Sequence, residues 1–150
     1  FCRKGAYAVE EVIEDYKDKV KLVFKHMPLA FHKEAKPAAF FTIAVKITHG
    51  DEKFFQTAKK LFEKQSEWKK DHLKAFEKYA KELGMDWNKV KSAMESPEAD
   101  KILKEDMAEA VRHGIRGVLA FFINGKMVSG AKKKEYFKAV IDNLLKQGKK

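Results

Sequence analysis

The stretch that decides the fold is GIRGVLAFFINGKMVSG, residues 114–130. It contains a run of six apolar residues at 118–123, which is too short to span a membrane and has the length of a buried strand. Asn124 and Gly125 follow, and both residue types accept the positive φ angles that a two-residue hairpin turn requires. Residues 126–129 are predicted to return as a second strand that Gly130 ends. The sequence therefore predicts one β-hairpin in a chain that is otherwise mostly helical.

The composition indicates a globular domain. The chain has 150 residues, of which 45% are hydrophobic, and 12 of them are Phe. That is enough for one domain with its own core. The net charge is +10, carried mostly by lysines that are interspersed with Asp and Glu. Since bidentate phosphate recognition favours arginine, this pattern indicates a solvated surface, and no nucleic-acid partner is expected.

Outside the hairpin, hydrophobic periodicity predicts helices. The first spans 6–16, with Ala6, Val9, Ile13 and Tyr16 inward. Residues 19–27 alternate and are predicted to form a strand that Pro28 ends. The helices that follow are predicted at 32–47, 52–67, 71–83, 86–94, 97–113 and, after the hairpin, 132–146, with a break at 49–51. Asp86 and Ser96 are predicted N-caps, and Pro97 takes the first helical position of the helix 97–113. In that helix the inward residues are predicted to be Ile102, Leu103, Met107, Ala110 and Val111.

Several segments together resemble the DsbA-like family of thiol-disulfide oxidoreductases. FCRK at 1–4 resembles the end of that family's Cys-Pro-Phe/Tyr-Cys-Arg motif, and KHMPLAFH at 25–32 resembles its Lys-His-Phe-Pro-Leu segment. YAKELG at 79–84 and the stretch 117–130 resemble two further blocks. The resemblance implies an α/β fold: one domain, 1–150, with a thioredoxin-like sheet and an all-helical insertion at 32–113. On this register the family's first strand and first active-site cysteine fall before Phe1.

Cys2 is the one cysteine of the chain and the residue for which a catalytic role is predicted. A thiolate at a helix N-terminus is favoured by the helix dipole and by neighbouring cations, here Arg3 and Lys4. The resemblance implies that Cys2 is the second, resolving cysteine of the family's pair. A buried, inert cysteine and an intermolecular disulfide are the alternatives.

The resemblance also implies a set of substrate contacts. The family places a cis-proline where this chain has Leu119, and the peptide bond before a leucine is expected to be trans because a non-proline cis bond costs about 3 kcal/mol. By this resemblance Phe1, Val118, Leu119 and His32 are predicted to contact substrate. For His32 the alternative is an ordinary loop histidine. The Phe residues of the second and third predicted helices are either core or part of a groove for unfolded chains.

Two functions are compatible with these residues. The first is a DsbA-like oxidoreductase that acts outside the cytoplasm, in the periplasm or cell envelope of a prokaryote, on unfolded or Cys-containing polypeptides and with a redox partner protein. The alternative is a redox-inactive thioredoxin-like binding or scaffold module. No cofactor is expected, and the scattered histidines show no metal-ligand spacing. Without the family's first strand the two predicted strands at 20–27 and 118–123 lack a neighbour. Three alternatives follow: residues upstream of Phe1 supply that strand, another chain donates one, or the sheet is rearranged.

Overall fold

A computed structural model describes residues 2–148. The described residues form seven α-helices and one β-hairpin. In chain order these are α1 Cys2–Tyr16, α2 Ala35–Glu63, α3 Gln65–Trp68, α4 His72–Glu82, α5 Trp87–Met94, α6 Pro97–Arg112, β1 Ala120–Ile123, β2 Lys126–Ser129 and α7 Lys134–Gly148. A short 3-10 helix, Lys17–Lys19, follows α1.

The chain divides into two compact units. The hairpin unit combines Phe1–Phe24 with Gly117–Lys150, and the helical unit is Lys25–Arg116. The hairpin unit therefore contains α1, the hairpin and α7. The helical unit contains α2 to α6.

In the hairpin unit, β1 and β2 pair antiparallel with Phe121 opposite Val128. Asn124 and Gly125 form the turn with φ angles of 49° and 86°, as their residue types predicted. One face of the hairpin packs on α1 and α7, where the Phe121 and Phe137 rings meet edge to face at 5.1 Å. The buried residues of this core are Ala8, Val12, Val128, Phe137 and Ile141.

The helical unit is built on α2, which packs against α5, α6 and α4. Its core centres on the Phe41 and Phe76 rings, stacked at 4.3 Å. Phe41 and Phe54 are buried, whereas Phe55 is exposed. Gly50, at φ 86° and ψ −177°, kinks α2 where the sequence predicted a break, since glycine tolerates this conformation.

The predicted helix ends are confirmed where short side chains cap them. Asp71, Asp86 and Ser96 each accept a hydrogen bond from the backbone N–H three residues further on, at the starts of α4, α5 and α6. Pro97 occupies the first turn of α6, where its missing N–H costs nothing. These local signals depend on neighbouring residues only, which is why the sequence predicted them well.

The predicted strand at 19–27 is wrong. Residues 20–29 have no regular secondary structure, although Val20 itself is extended. A strand is stabilised by ladder partners, and among residues 2–148 the only sheet is the two-stranded hairpin. The apolar side chains Leu22, Val23 and Phe24 are accordingly exposed.

The predicted inward face of α6 is partly wrong. Val111 is 73% exposed and Met107 is 39% exposed, while the buried residues of α6 are Ala99, Leu103, Asp106 and Ala110. The carboxylate of Asp106 thus occupies an inward position of the helix. The periodicity of apolar residues alone predicted a buried face that is rotated towards Met107 and Val111. In α1 the buried stripe is likewise one residue away from the predicted one, at Gly5, Ala8 and Val12.

Candidate functional site around Cys2

Cys2 is the first residue of α1 and is a free thiol of intermediate burial. The first turn of this 15-residue helix carries no acidic side chain. Backbone N–H groups at a helix N-terminus, together with the helix dipole, favour negative charge. The structure therefore places Cys2 at a helix N-terminus, the position that the sequence predicted.

Gly5 lies one turn further along α1 and is buried against the loop that enters β1. A methyl group on Gly5 would lie 2.8 Å from Cδ2 of Leu119 and 3.6 Å from Cζ of Phe121. Leu119 therefore packs directly on the backbone of α1, within one turn of Cys2. Residues three apart share a helix face, so this contact lies on the face of α1 that carries Cys2.

Leu119 has an unusual backbone conformation. Its φ is 66°, which a side chain with a Cβ disfavours by about 1 kcal/mol or more. Its carbonyl accepts a hydrogen bond from the N–H of Gly130 at 2.8 Å, which extends the hairpin ladder by one pair. No cis peptide bond occurs in the part of the chain that the structure describes, so the bond before Leu119 is trans, as expected.

The residues predicted to form one site are distributed over both units. Cys2, Val118 and Leu119 belong to the hairpin unit, and Val118 is 46% exposed. His32 belongs to the helical unit, where it is exposed and its ring lies 4.5 Å from that of Phe31. Phe1 lies outside the described residues. The substrate-binding roles of these four residues stay predictions.

The C-terminal end of α1 is held to α7 by polar contacts. Tyr16 donates its hydroxyl to Asp142 Oδ1 at 2.5 Å, and this hydrogen bond, together with burial, raises the pKa of Tyr16 to about 12. Asp15 pairs with Lys134 at 3.0 Å and with Lys138 at 3.5 Å. The hydrogen bond from Lys134 is the main reason that the pKa of Asp15 lies below its ordinary value. These contacts stabilise the end of α1 that is remote from Cys2.

A buried polar cluster in the helical unit was not foreseen. Asp106 Oδ2 lies 2.9 Å from the backbone nitrogen of His26 and 3.0 Å from its Nδ1, and Nε2 of the same ring lies 3.0 Å from Thr42 Oγ1. His26 and Asp106 are each 7% exposed. Burial raises the pKa of Asp106, but the hydrogen bonds and positive charge of His26 outweigh this, so the net shift is downward.

Lys25 adds a partly exposed ion pair to the same corner. Its ammonium lies 3.0 Å from Glu109 and 3.7 Å from Asp106, and the bond to Glu109 is the main cause of a raised pKa at Lys25. The sequence signal that would have indicated this cluster is the spacing of Asp106, three residues after Leu103 and four before Ala110 on the buried face of α6. The polar cluster joins Lys25 and His26 to α2 and α6.

Within residues 2–148, no group of three or more His, Cys, Asp or Glu side chains has the geometry to hold a metal ion. No helix in that range is both long and apolar enough to cross a membrane.

Comparison with known proteins places the chain in a family. A family model described as Thioredoxin matches residues 1–143, so the chain belongs to the thioredoxin family. Within that family its fold is DsbA-like. The crystal structure of the thiol-disulfide exchange protein alpha-DsbA2 from Wolbachia pipientis superposes with a TM-score of 0.84 over 95% of this chain and 74% of that one, at 18% identity. The predicted thioredoxin-like fold with a helical insertion is thereby confirmed.

One curated relative has a different overall organisation. The Na(+)/H(+) antiporter NhaA of Herminiimonas arsenicoxydans is 24% identical over 131 residues, which are 87% of this chain. The chain spans about 20% of the length of that relative. A region similar to this thioredoxin-family chain therefore occurs there within a much longer protein.

Proposed function

We propose that this protein is a DsbA-like thiol-disulfide oxidoreductase in which Cys2 is the resolving cysteine of the active-site pair. The observation that carries the proposal is the packing of Leu119 on Gly5, one helical turn from Cys2. This contact supports the proposal because it lies one turn from Cys2 on α1 and involves the loop that, by the family resemblance, faces the active cysteines. Membership of the thioredoxin family supports the same reading.

The proposed reaction transfers two electrons by thiol-disulfide exchange. In the DsbA-like scheme Cys2 is disulfide-bonded to a cysteine two residues before Phe1. A substrate thiolate attacks that first cysteine, a new disulfide forms to the substrate, and Cys2 leaves as a thiolate that takes a proton from solvent. A second substrate thiolate then breaks the mixed disulfide. The substrate ends with a disulfide, and the two enzyme cysteines end as thiols.

The proposal includes partners and a location. The substrates are unfolded or Cys-containing polypeptides, with His32, Val118, Leu119 and Phe1 as proposed contacts. A redox partner reoxidises the enzyme. Because structural disulfides persist outside the cytoplasm, we place the protein in the periplasm or cell envelope of a prokaryote. The helical segment 32–113 acts as an insertion within one domain, 1–150.

The proposal also includes strand donation from another chain. In the sheet that the described residues form, the ladder neighbour of β1 is β2. An extended segment of another chain would add to such a sheet through backbone hydrogen bonds.

A second function is a redox-inactive binding or scaffold module. Two observations favour it: a leucine with a trans peptide bond stands where the family has its cis-proline, and a similar region is part of a longer antiporter relative. In this function the domain provides a docking surface within a larger protein and Cys2 takes no part in exchange.

Reaction with glutathione disulfide separates the two functions. The full-length source protein is incubated with glutathione disulfide, and the adduct is measured by intact mass and peptide mapping. Thiol exchange predicts an adduct or an internal disulfide involving Cys2 and catalysed reduction of insulin, both lost in Cys2→Ser. If Cys2 stays unmodified in folded protein and insulin reduction equals that of Cys2→Ser, the redox function is wrong and the binding module is supported.

A further inference from the structure

His49 links the kink of α2 to the first turn of α5. Its Nδ1 lies 2.7 Å from Thr48 Oγ1, and its Nε2 accepts a hydrogen bond from the backbone N–H of Asp86 at 3.2 Å. His49 directly precedes Gly50, the residue with the non-helical conformation inside α2. Asp86 is the N-cap residue of α5, and its carboxylate accepts from the N–H of Lys89. One imidazole therefore joins the bend of one helix to the start of another.

The hydrogen-bond partners determine which protonation state of His49 fits. A backbone N–H is always a donor, so Nε2 must offer its lone pair to Asp86. Nδ1 then carries the proton and donates to Thr48 Oγ1, because the Thr48 hydroxyl itself donates to the carbonyl of Ala44 at 2.8 Å. The arrangement thus holds a neutral imidazole. A second proton on Nε2 would face the N–H of Asp86 and break that hydrogen bond.

His26 in the same unit has the opposite arrangement. Its Nδ1 faces the Asp106 carboxylate, and its Nε2 faces Thr42 Oγ1, which has the carbonyl of Ala39 within 3.0 Å. When both ring nitrogens carry protons, Nδ1 donates to Asp106 and Nε2 donates to Thr42, whose hydroxyl turns to Ala39. The partners of the His26 ring therefore fit a ring with both nitrogens protonated, whereas the partners of the His49 ring do not.

We propose that His49 is a proton-operated latch that holds the start of α5 to the kink of α2 when neutral and releases it when protonated. Histidine is the side chain that ordinarily changes charge between about pH 5 and 8. Beside the latch lies a shallow groove of about 510 Å³ between α2 and α5, lined by Thr48 and by Asn88, Lys89 and Ser92 of α5. Release of the latch loosens the wall that α5 contributes to this groove.

Charged groups of both signs surround the latch. On α2 the charged side chains within four residues of His49 are Lys46, Asp51, Glu52 and Lys53. Lys46 pairs with Asp51 at 3.7 Å, and Lys53 donates to the carbonyl of Leu83 at 2.7 Å. On the α5 side the charged groups are Asp86 and Lys89. Protonation of Nε2 removes the lone pair that accepts from the Asp86 N–H whatever these charges are, so that hydrogen bond is the quantity that the experiment follows.

Amide hydrogen exchange at Asp86 tests the latch. In the wild-type protein the protection factor of the Asp86 amide, corrected for intrinsic exchange, is expected to fall about fivefold between pH 8 and pH 5, the effect of losing one hydrogen bond. In His49→Gln the side-chain oxygen accepts from the same N–H and does not titrate, so protection stays constant over this range. His72→Gln on α4 is the matched control and retains the wild-type response.

A second measurement needs no variant. The ¹⁵N shifts of the His49 ring show whether Nε2 is unprotonated at pH 8 and whether its protonation coincides with the change at the Asp86 amide. Coincident titration with loss of protection supports the latch. Equal Asp86 protection at both pH values, or the same loss in a folded His49→Gln variant, overturns it.

Discussion

The two units use polar side chains in opposite places. In the hairpin unit the polar contacts of Asp15 and Tyr16 lie at the surface, while Cys2 and Leu119 are supported by an apolar contact on Gly5. In the helical unit the polar cluster of His26 and Asp106 is buried. In the hairpin unit the candidate site therefore depends on close packing of Leu119 on Gly5. In the helical unit the buried polar cluster depends on hydrogen bonds to the Asp106 carboxylate.

This difference determines how each unit tolerates substitution. Removing the partners of a buried carboxylate, or removing the carboxylate itself, leaves a buried polar group unpaired and lowers the free energy of unfolding. A helix–loop contact on glycine is sensitive to the size of one methyl group instead. Substitutions in the buried cluster of His26 and Asp106 are therefore expected to have large effects on stability. Substitutions beside Cys2 are expected to have smaller effects that depend on backbone conformation.

The largest effect is expected from Asp106→Ala. It leaves the backbone N–H and ring of His26 without their acceptor, and breaking a buried charged pair costs about 3 kcal/mol of unfolding free energy. Denaturation by urea measures it. Glu105→Ala is the matched control on the same helix. The Glu105 side chain is 64% exposed, and its ion pair with Lys101 is long, at 4.0 Å. A change below about 0.5 kcal/mol is expected there. Equal losses in both variants would contradict the role of burial.

The same carboxylate predicts a dependence on acid. The pKa of Asp106 is lowered from its ordinary value of 3.8, so the folded protein binds this proton more weakly than the unfolded chain. The stabilisation is therefore present above that value and is lost as the pH falls below it. The difference in unfolding free energy between wild type and Asp106→Asn should shrink from about pH 5 to pH 2. A difference that grows towards acid would show that the pKa is raised.

The sequence predicted the features that depend on local chemistry. The turn at Asn124 and Gly125, the caps at Asp86 and Ser96 and the break at Gly50 each follow from one or two side chains. The family resemblance supplied the global fold, which periodicity alone did not determine.

What the sequence did not predict depends on contacts between distant residues. The segment 20–27 has the alternation of a strand, but a strand forms only where a neighbour pairs with it. The sequence does not show that Asp106 is buried, because its burial is compensated by His26, 80 positions away. The positive φ of Leu119 is likewise held by Gly130 and by packing on Gly5, and leucine itself gives no indication of it.

A third prediction concerns the strained backbone beside Cys2. Leu119→Ala and Leu119→Gly both remove the side chain that packs on Gly5. Only alanine retains a Cβ at φ 66°, so the glycine variant is expected to be more stable than the alanine variant by about 1 kcal/mol. Thermal and urea unfolding of the two variants measure this difference. Greater stability of the alanine variant would show that the positive φ is not maintained in solution.

The last prediction is the coupling free energy between Gly5 and Leu119, which tests the contact beside Cys2 directly. Within a helix, alanine is favoured over glycine by about 1 kcal/mol. In the wild type the new methyl group meets Cδ2 of Leu119 at 2.8 Å, and the required shift cancels this gain. In Leu119→Ala the contact is absent, so Gly5→Ala should stabilise the protein by the full amount. A double-mutant cycle measures a coupling of about 1 kcal/mol, and purely additive effects would mean that Leu119 does not pack on α1 next to Cys2.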